Sequence, residues 1–286
     1  MIRQQFYTYG VGNTRLVEHK GIYFKCEFEN PTGSVKDRGI SVQISKLLEM
    51  GVRSAVISSS GNAAISAAKY CREANIKLTV FISPKLKASK KSVLEKLDCT
   101  LIVSPKPISS AFRCAQKTGA YNLRQSKDEN AVAGYEALGL ELIRQNQEID
   151  AVFIPASSCT TFVGVYRGFQ KGKKKPAFHA VQTEAIHPVA SQFDKSFTSR
   201  KESIADAIVA RITSRADEAV KIIKQSGGYG WVVSDKEISG AWEELAKFKL
   251  TCSYEGAMSL SAYQKAIKNG YRYKTPVCIL TGKYYE

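Results

Sequence analysis

Lys36 sits in the run Asn30-Pro31-Thr32-Gly33-Ser34-Val35-Lys36-Asp37-Arg38, an arrangement that can bring one amine to the mouth of an α/β cleft. Before it, Gly21-Ile22-Tyr23-Phe24-Lys25-Cys26-Glu27 alternates as a strand does, and after it Ile40, Ile44, Leu47 and Leu48 recur at helical spacing. Ser34 followed three residues later by Asp37 has the form of a capping box, which sets the start of that helix. Lys36 then falls in the first helical turn, where the positive end of the helix dipole disfavours a cation and eases loss of its proton. A neutral amine is the nucleophile that a Schiff base requires. In isolation such a lysine is ordinarily a solvated surface charge, so the neighbouring segments decide its meaning.

The run Ser58-Ser59-Ser60-Gly61-Asn62 lies where a strand ends and a helix opens. Backbone N–H groups at a helix start lack intrahelical partners, and with the dipole and small hydroxyls they suit an anion such as a carboxylate. The same residue types also cap helices with no ligand involved.

The elements that must hold these segments alternate in kind. Residues 54–58, 77–82, 100–103, 151–154, 179–182 and 275–280 read as strands, and 121–123 as a short extended piece. Residues 63–73, 89–97, 109–118 and 131–145 read as helices. Such alternation is the pattern of α/β folds with parallel sheets covered by helices. Ser234 with Glu237 forms a second capping box.

At 286 residues, 44% hydrophobic and 24% charged, the chain has room for two α/β lobes or one large domain. It has no apolar run of membrane-spanning length and no signal-peptide core after Met1, so no membrane partner and a cytoplasmic location are expected. Seven dispersed cysteines without a C-x-x-C pair point to reduced, mostly packed thiols, and three scattered histidines give no metal-ligand spacing. The net charge of +16 permits nucleic acid or anionic metabolites as partners. The densest basic run, Lys171 to Lys175, reads as a loop, and Lys265 and Lys268 read as helix-surface charges. Aromatic residues do not interleave with the basic ones as in a base-stacking platform, which argues against nucleic acid as the primary partner.

The Lys36 segment resembles the active-site lysine segment of pyridoxal-phosphate enzymes of the tryptophan synthase β-subunit fold (fold type II), most closely the threonine synthase branch. The resemblance runs in order from Gly12-Asn13-Thr14 through Gln182-Thr183-Glu184, Ile204 to Ile208, Ser226-Gly227-Gly228, Ser234 to Ile238 and Glu255-Gly256-Ala257. It implies an α/β fold of two lobes, residues 44–130 forming the smaller and residues 1–43 with 131–286 the larger, cofactor-binding one. It implies pyridoxal 5'-phosphate as cofactor, carried by Lys36 as a Schiff base, and a small amino acid as substrate. Asn62 matches the asparagine at the cofactor's ring hydroxyl, while Ser59, Ser60, Gly61, Asn62 and Ala63 match the turn that grips the substrate carboxylate. Thr281 matches the hydroxyl at the pyridine nitrogen.

Where the family carries a glycine-rich phosphate loop, this chain reads Pro155-Ala156-Ser157-Ser158-Cys159-Thr160-Thr161. By position Ser157, Ser158, Cys159, Thr160 and Thr161 are the phosphate-binding residues, and the missing glycines lead us to expect crowding or a strained φ at Cys159 and Thr160. Cys159 itself reads as a small packing residue. The resemblance implies a lyase that converts O-phosphohomoserine to threonine and phosphate, as a homodimer. The alternatives are a cysteine synthase-like β-replacement enzyme, a serine/threonine dehydratase, or a non-catalytic homologue that acts as a binding protein.

Overall fold

The computed structural model describes residues 10–59, 61–84 and 88–285. Their contacts group the described residues of 1–12, 30–134 and 285–286 into one compact unit, and residues 13–29 and 135–284 into another. In chain order the elements begin with β1 (Leu16–His19), β2 (Ile22–Lys25), α1 (Lys36–Glu49), β3 (Ser54–Ser58), α2 (Asn62–Glu73), β4 (Lys77–Ile82), α3 (Ala88–Glu95), β5 (Thr100–Val103), α4 (Pro107–Thr118) and β6 (Tyr121–Asn122). They continue with α5 (Glu129–Gln145), β7 (Ala151–Pro155), α6 (Thr160–Lys171), β8 (Ala177–Thr183), α7 (Ala216–Ser226), β9 (Gly230–Val233), α8 (Asp235–Lys247), α9 (Tyr254–Lys268) and β10 (Pro276–Ile279).

The first unit holds a four-stranded sheet in the order β5-β4-β3-β6, parallel throughout. Ile40, Ile44 and Leu47 recur every three or four residues of α1, so all three are buried on one stripe. They join Ala64, Ala67, Ala68 and Tyr70 of α2 and Ile57, Val80 and Ile82 of the sheet in one core. Small alanines on α2 suit the close packing of α1 against it.

The second unit is a six-stranded sheet in the order β1-β2-β10-β7-β8-β9. β1 and β2 pair antiparallel and the remaining neighbours are parallel. Every residue of β7, β9 and β10 is buried, as expected of parallel strands covered on both faces. Helix α6 is drawn close to α5 because Gly139 and Gly168 lack side chains. A Cβ would stand 2.4 Å from the Val165 carbonyl oxygen at the first and 2.3 Å from the Glu136 carbonyl oxygen at the second.

His179 of β8 is wholly buried, stacked on Phe153 at 4.3 Å between ring centroids. Its Nδ1 accepts from the Tyr229 N–H at 3.0 Å and the Trp231 indole N–H at 3.2 Å, so the proton of the neutral ring sits on Nε2, 2.9 Å from the Tyr273 hydroxyl. Burial pushes its pKa down to about 3. A depressed histidine pKa means the folded state disfavours the charged form. The stability tied to neutral His179 is therefore complete above pH ~6.5 and is lost as pH falls through the window from ~6.5 toward ~3, at about 1.4 kcal/mol per unit. Urea titration at pH 5 and pH 7 should reveal a loss of about 2 kcal/mol from this residue, and His179→Gln should remove that part of the slope.

Lys265 departs from the surface role that its sequence context suggests. Its amine donates to Asp194 Oδ2 at 2.6 Å and to the Val232 carbonyl at 2.7 Å, while Asp194 Oδ2 accepts the Val232 N–H at 3.1 Å. The pair thus occupies the open backbone edge of β9, the role a neighbouring strand would otherwise take. The Ser234–Glu237 capping box forms as read, with Glu237 N–H to Ser234 Oγ at 3.3 Å and Ser234 N–H to Glu237 Oε2 at 2.8 Å.

Candidate active site

In the first unit the turn before α1 is built by short-range bonds. The Gly33 N–H donates to the Asn30 carbonyl at 2.7 Å, and Gly33 has φ 86°, a left-handed conformation that glycine adopts without penalty. The capping box expected of Ser34 and Asp37 is absent. Val35 before the helix is already in the right-handed helical region, so Ser34 Oγ meets the Lys36 N–H at 3.3 Å instead of the third helical amide. Asp37 turns back to Thr32, accepting its N–H at 2.7 Å and its hydroxyl as well. Burial raises the Asp37 pKa, and the hydrogen bonds from Thr32 pull it the other way. The result is a pinned loop with Lys36 as the first residue of α1.

Lys36 retains partial solvent exposure, yet enough protein surrounds its amine that desolvation pushes its pKa down to about 8. Burial is the cause found here, where the sequence suggested the helix dipole. Among the described residues no carboxylate pairs with this amine. Roughly a quarter of the amine is then neutral at pH 7.5, against about one part in a thousand for an ordinary lysine.

At the carboxyl end of β3, Ser59, Gly61, Asn62 and Ala63 are partly buried, and Ser60 lies outside the described residues. Helix α2 starts at Asn62 with no side-chain cap, and Ser59 Oγ accepts the Gly61 N–H at 3.3 Å. Asn62 Oδ1 is buried and has no hydrogen-bond partner among the described residues, an unusual state for a buried acceptor.

In the second unit β7 and β10 are adjacent parallel strands, so the Ala156 to Thr161 loop and Thr281 follow the carboxyl ends of neighbours. That end of a parallel sheet is where ligands bind in α/β folds. Cys159 takes φ 62° and ψ 3°, and α6 starts after it without a side-chain cap. Of the two positions expected to be strained, Cys159 alone has positive φ; Thr160 does not. Ser158 Oγ and Thr160 Oγ1 share a hydrogen bond at 3.0 Å, while Thr160 and Thr161 are buried. The Cys159 thiol is buried and pushed up to about 12 by desolvation, so it packs rather than reacts. Thr281 is partly buried, and its hydroxyl has no partner among the described residues.

A left-handed non-glycine residue costs about 1 kcal/mol or more. Cys159→Gly should therefore relax the loop and keep or raise stability by up to about 1 kcal/mol, less the small burial lost with the thiol; thermal melting of the two forms checks this.

Sequence reasoning missed the surroundings of Ser157. Its Oγ accepts the N–H groups of Val209 at 3.1 Å and Ala210 at 3.3 Å, and the neighbouring Ser158 carbonyl accepts the Thr213 hydroxyl at 2.6 Å. Glu255, in the first turn of α9, accepts the Ala207 N–H at 2.9 Å. The only hint was Ile204 to Ile208 recurring in order. A separate open cleft of about 530 Å³ in this unit is lined by Glu184, Thr198, Ser234, Glu237 and Lys265, and includes none of the candidate residues. Among the described residues no helix is long and apolar enough to cross a membrane, no cluster of ligating side chains could hold a metal, and all seven cysteines are free.

Comparison with known proteins accounts for these features together: residues 7–282 match the pyridoxal-phosphate dependent enzyme family, and the chain belongs to it. It is 27% identical to threonine synthase of Methanosarcina acetivorans over 94% of this chain and 72% of that protein. It is 28% identical to threonine synthase of Bacillus sp. (strain ULM1) over 91% and 77%. The fold is that of maize serine racemase (TM-score 0.81, 22% identity, 93% of this chain and 84% of the other). It is equally that of threonine deaminase isoform 2 from Solanum lycopersicum (TM-score 0.82, 18% identity, 97% and 85%). The chain is thus an α/β enzyme of fold type II whose cofactor is pyridoxal phosphate. Each unit carries donors that suit groups of that cofactor: in the first, an amine with lowered pKa and an orphaned buried amide oxygen; in the second, an uncapped helix start beside hydroxyls.

Proposed function

We propose that this enzyme is a lyase of the threonine synthase kind, converting O-phosphohomoserine and water to threonine and phosphate in the cytoplasm. The observation that carries the reading is that two threonine synthases align at 27% and 28% identity over more than nine-tenths of the chain, together with the Lys36 amine poised near neutrality.

When bound, pyridoxal phosphate supplies an electron sink for the substrate's Cα. Lys36 would anchor the cofactor's aldehyde through its neutral amine, and the same amine when free would accept and return the substrate's Cα proton. The uncapped start of α2, with Ser59, Ser60, Gly61, Asn62 and Ala63, receives the substrate carboxylate with unpaired N–H groups. Asn62 Oδ1, buried without a partner, would accept from the cofactor's ring hydroxyl. Ser157, Ser158, Cys159, Thr160 and Thr161 hold the phosphate at the start of α6. The Thr281 hydroxyl would partner the pyridine nitrogen and, being neutral, would not hold it protonated. Such a ring suits elimination and replacement better than transamination.

Substrate profiling tests this reading. Release of inorganic phosphate and threonine from O-phosphohomoserine, with little turnover of O-acetylserine, serine or threonine, is expected. Preferred turnover of O-acetylserine, or of serine and threonine to ammonia and keto acids, would replace it with a β-replacement enzyme or a dehydratase. Light scattering should give a homodimer.

A further inference from the structure

Resting on that reading, we propose that residues 203–213 form a strap whose docking onto Ser157 and Ser158 holds the glycine-poor loop in its anion-binding form, so that strap docking and cofactor-phosphate binding strengthen each other. Both parts lie in the second unit.

Polar contacts carry much of the strap's attachment, with the Ile204 N–H donating to Asp235 Oδ1 and the Ala207 N–H to Glu255 Oε1. At its start, Ser203 donates to Asp235 Oδ1 at 2.6 Å, and Ala205 and Ile208 are buried in the core. Arg215 is buried again at its far end. Between these anchors Val209 is 67% exposed and Ile212 90% exposed, so apolar burial does not fix this stretch. Its ties to the loop are polar: Val209 and Ala210 N–H to Ser157 Oγ, and the Thr213 hydroxyl to the Ser158 carbonyl.

Those bonds act on the loop in two ways. A hydroxyl has two acceptor sites and one proton. With both acceptor sites of Ser157 taken by backbone amides, its proton can only be donated outward, and an obligate donor is what a phosphate oxygen needs. The Thr213 bond holds the Ser158 carbonyl one residue before Cys159, whose left-handed backbone turns the chain into α6. In a glycine-rich loop the backbone reaches such a conformation freely. Here Cys159 resists it, and the strap supplies the restraint. Coupling of this kind is reciprocal, so phosphate bound at the loop must also tighten the strap.

Thr213 is a positioning residue with no part in holding the cofactor, which makes it the informative site. The experiment is amide hydrogen exchange over residues 205–214, with and without pyridoxal phosphate, together with absorption titration of cofactor affinity. Wild type, Thr213→Val, Thr213→Ser and Ser157→Ala are compared. The expected result is faster strap exchange in Thr213→Val and Ser157→Ala without cofactor, slowing of wild-type exchange by pyridoxal phosphate, and a dissociation constant raised about tenfold in both variants. Thr213→Ser, which keeps the hydroxyl, should behave as wild type. Wild-type affinity in Thr213→Val, or strap exchange unchanged by the cofactor, overturns the proposal while leaving the enzyme reading intact. Failure of the wild type to bind pyridoxal phosphate overturns both.

Discussion

Lys36→Ala should lower turnover by about 10⁴-fold, because it removes the amine proposed both as the covalent anchor for the cofactor and as the base that moves the Cα proton. Lys36→Arg should be as inactive: a guanidinium keeps the charge but remains protonated and cannot act as the amine nucleophile. The lowered pKa adds a pH signature. The rate at which cofactor attaches to apoprotein depends on neutral amine, so it should rise about tenfold per pH unit up to the Lys36 pKa of about 8 and flatten above it. An unshifted lysine would keep the rate climbing toward ~10.4. Stopped-flow mixing between pH 6 and pH 9.5 distinguishes the two, and a rate still rising at the upper end would remove the argument that burial prepares this amine.

The largest expected stability loss lies elsewhere, at Lys25. This side chain is wholly buried in β2, where its amine is bonded to Glu141 of α5, to the Thr14 carbonyl at 2.6 Å and to Gln145 Oε1 at 2.8 Å. Glu141 Oε2 also accepts the Asn13 N–H at 3.0 Å, tying the segment before β1 to the same helix. Lys25→Ala leaves the Glu141 carboxylate buried without its cation, which typically costs about 3–5 kcal/mol. The double change Lys25→Met with Glu141→Leu should recover most of that, since the price of a buried ion pair is largely that of stranding one charge. Trp231 and Trp242 both belong to the second unit, so tryptophan fluorescence in urea reports on the affected part directly. A loss under 1 kcal/mol for Lys25→Ala would mean that water reaches Glu141 and that the pair is not buried in solution.

Much of the frame was legible because local chemistry dictates it. Residues 54–58, 77–82 and 100–103, read as strands from their apolar pattern, are β3, β4 and β5 with the same bounds. Ser234 and Glu237 form their cap because both partners lie within one turn. The misreadings share a physical cause: the deciding partner is distant or competes locally. Ser34 and Asp37 have the right spacing for a cap, yet Thr32 offers Asp37 two donors and wins it. Lys265 resembles a surface charge until Asp194 and the edge of β9 are brought to it. Ser157 reads as a free phosphate ligand, and only the fold supplies the amides of Val209 and Ala210. The strain at Cys159 was readable because absent glycines in a tight turn leave few backbone choices. The lowered pKa of Lys36 was anticipated in direction, but its cause is burial, which no local pattern reveals.

The measurement that bears most directly on the central claim is the visible absorption spectrum of the purified protein after incubation with pyridoxal phosphate, wild type beside Lys36→Ala. A band of lysine-bound cofactor in the wild type, absent from Lys36→Ala and lost on borohydride reduction, with the reduced label recovered on the peptide containing Lys36, is the expected result. No band in the wild type, or the same band in both proteins, would contradict the assignment of Lys36 as the cofactor's anchor.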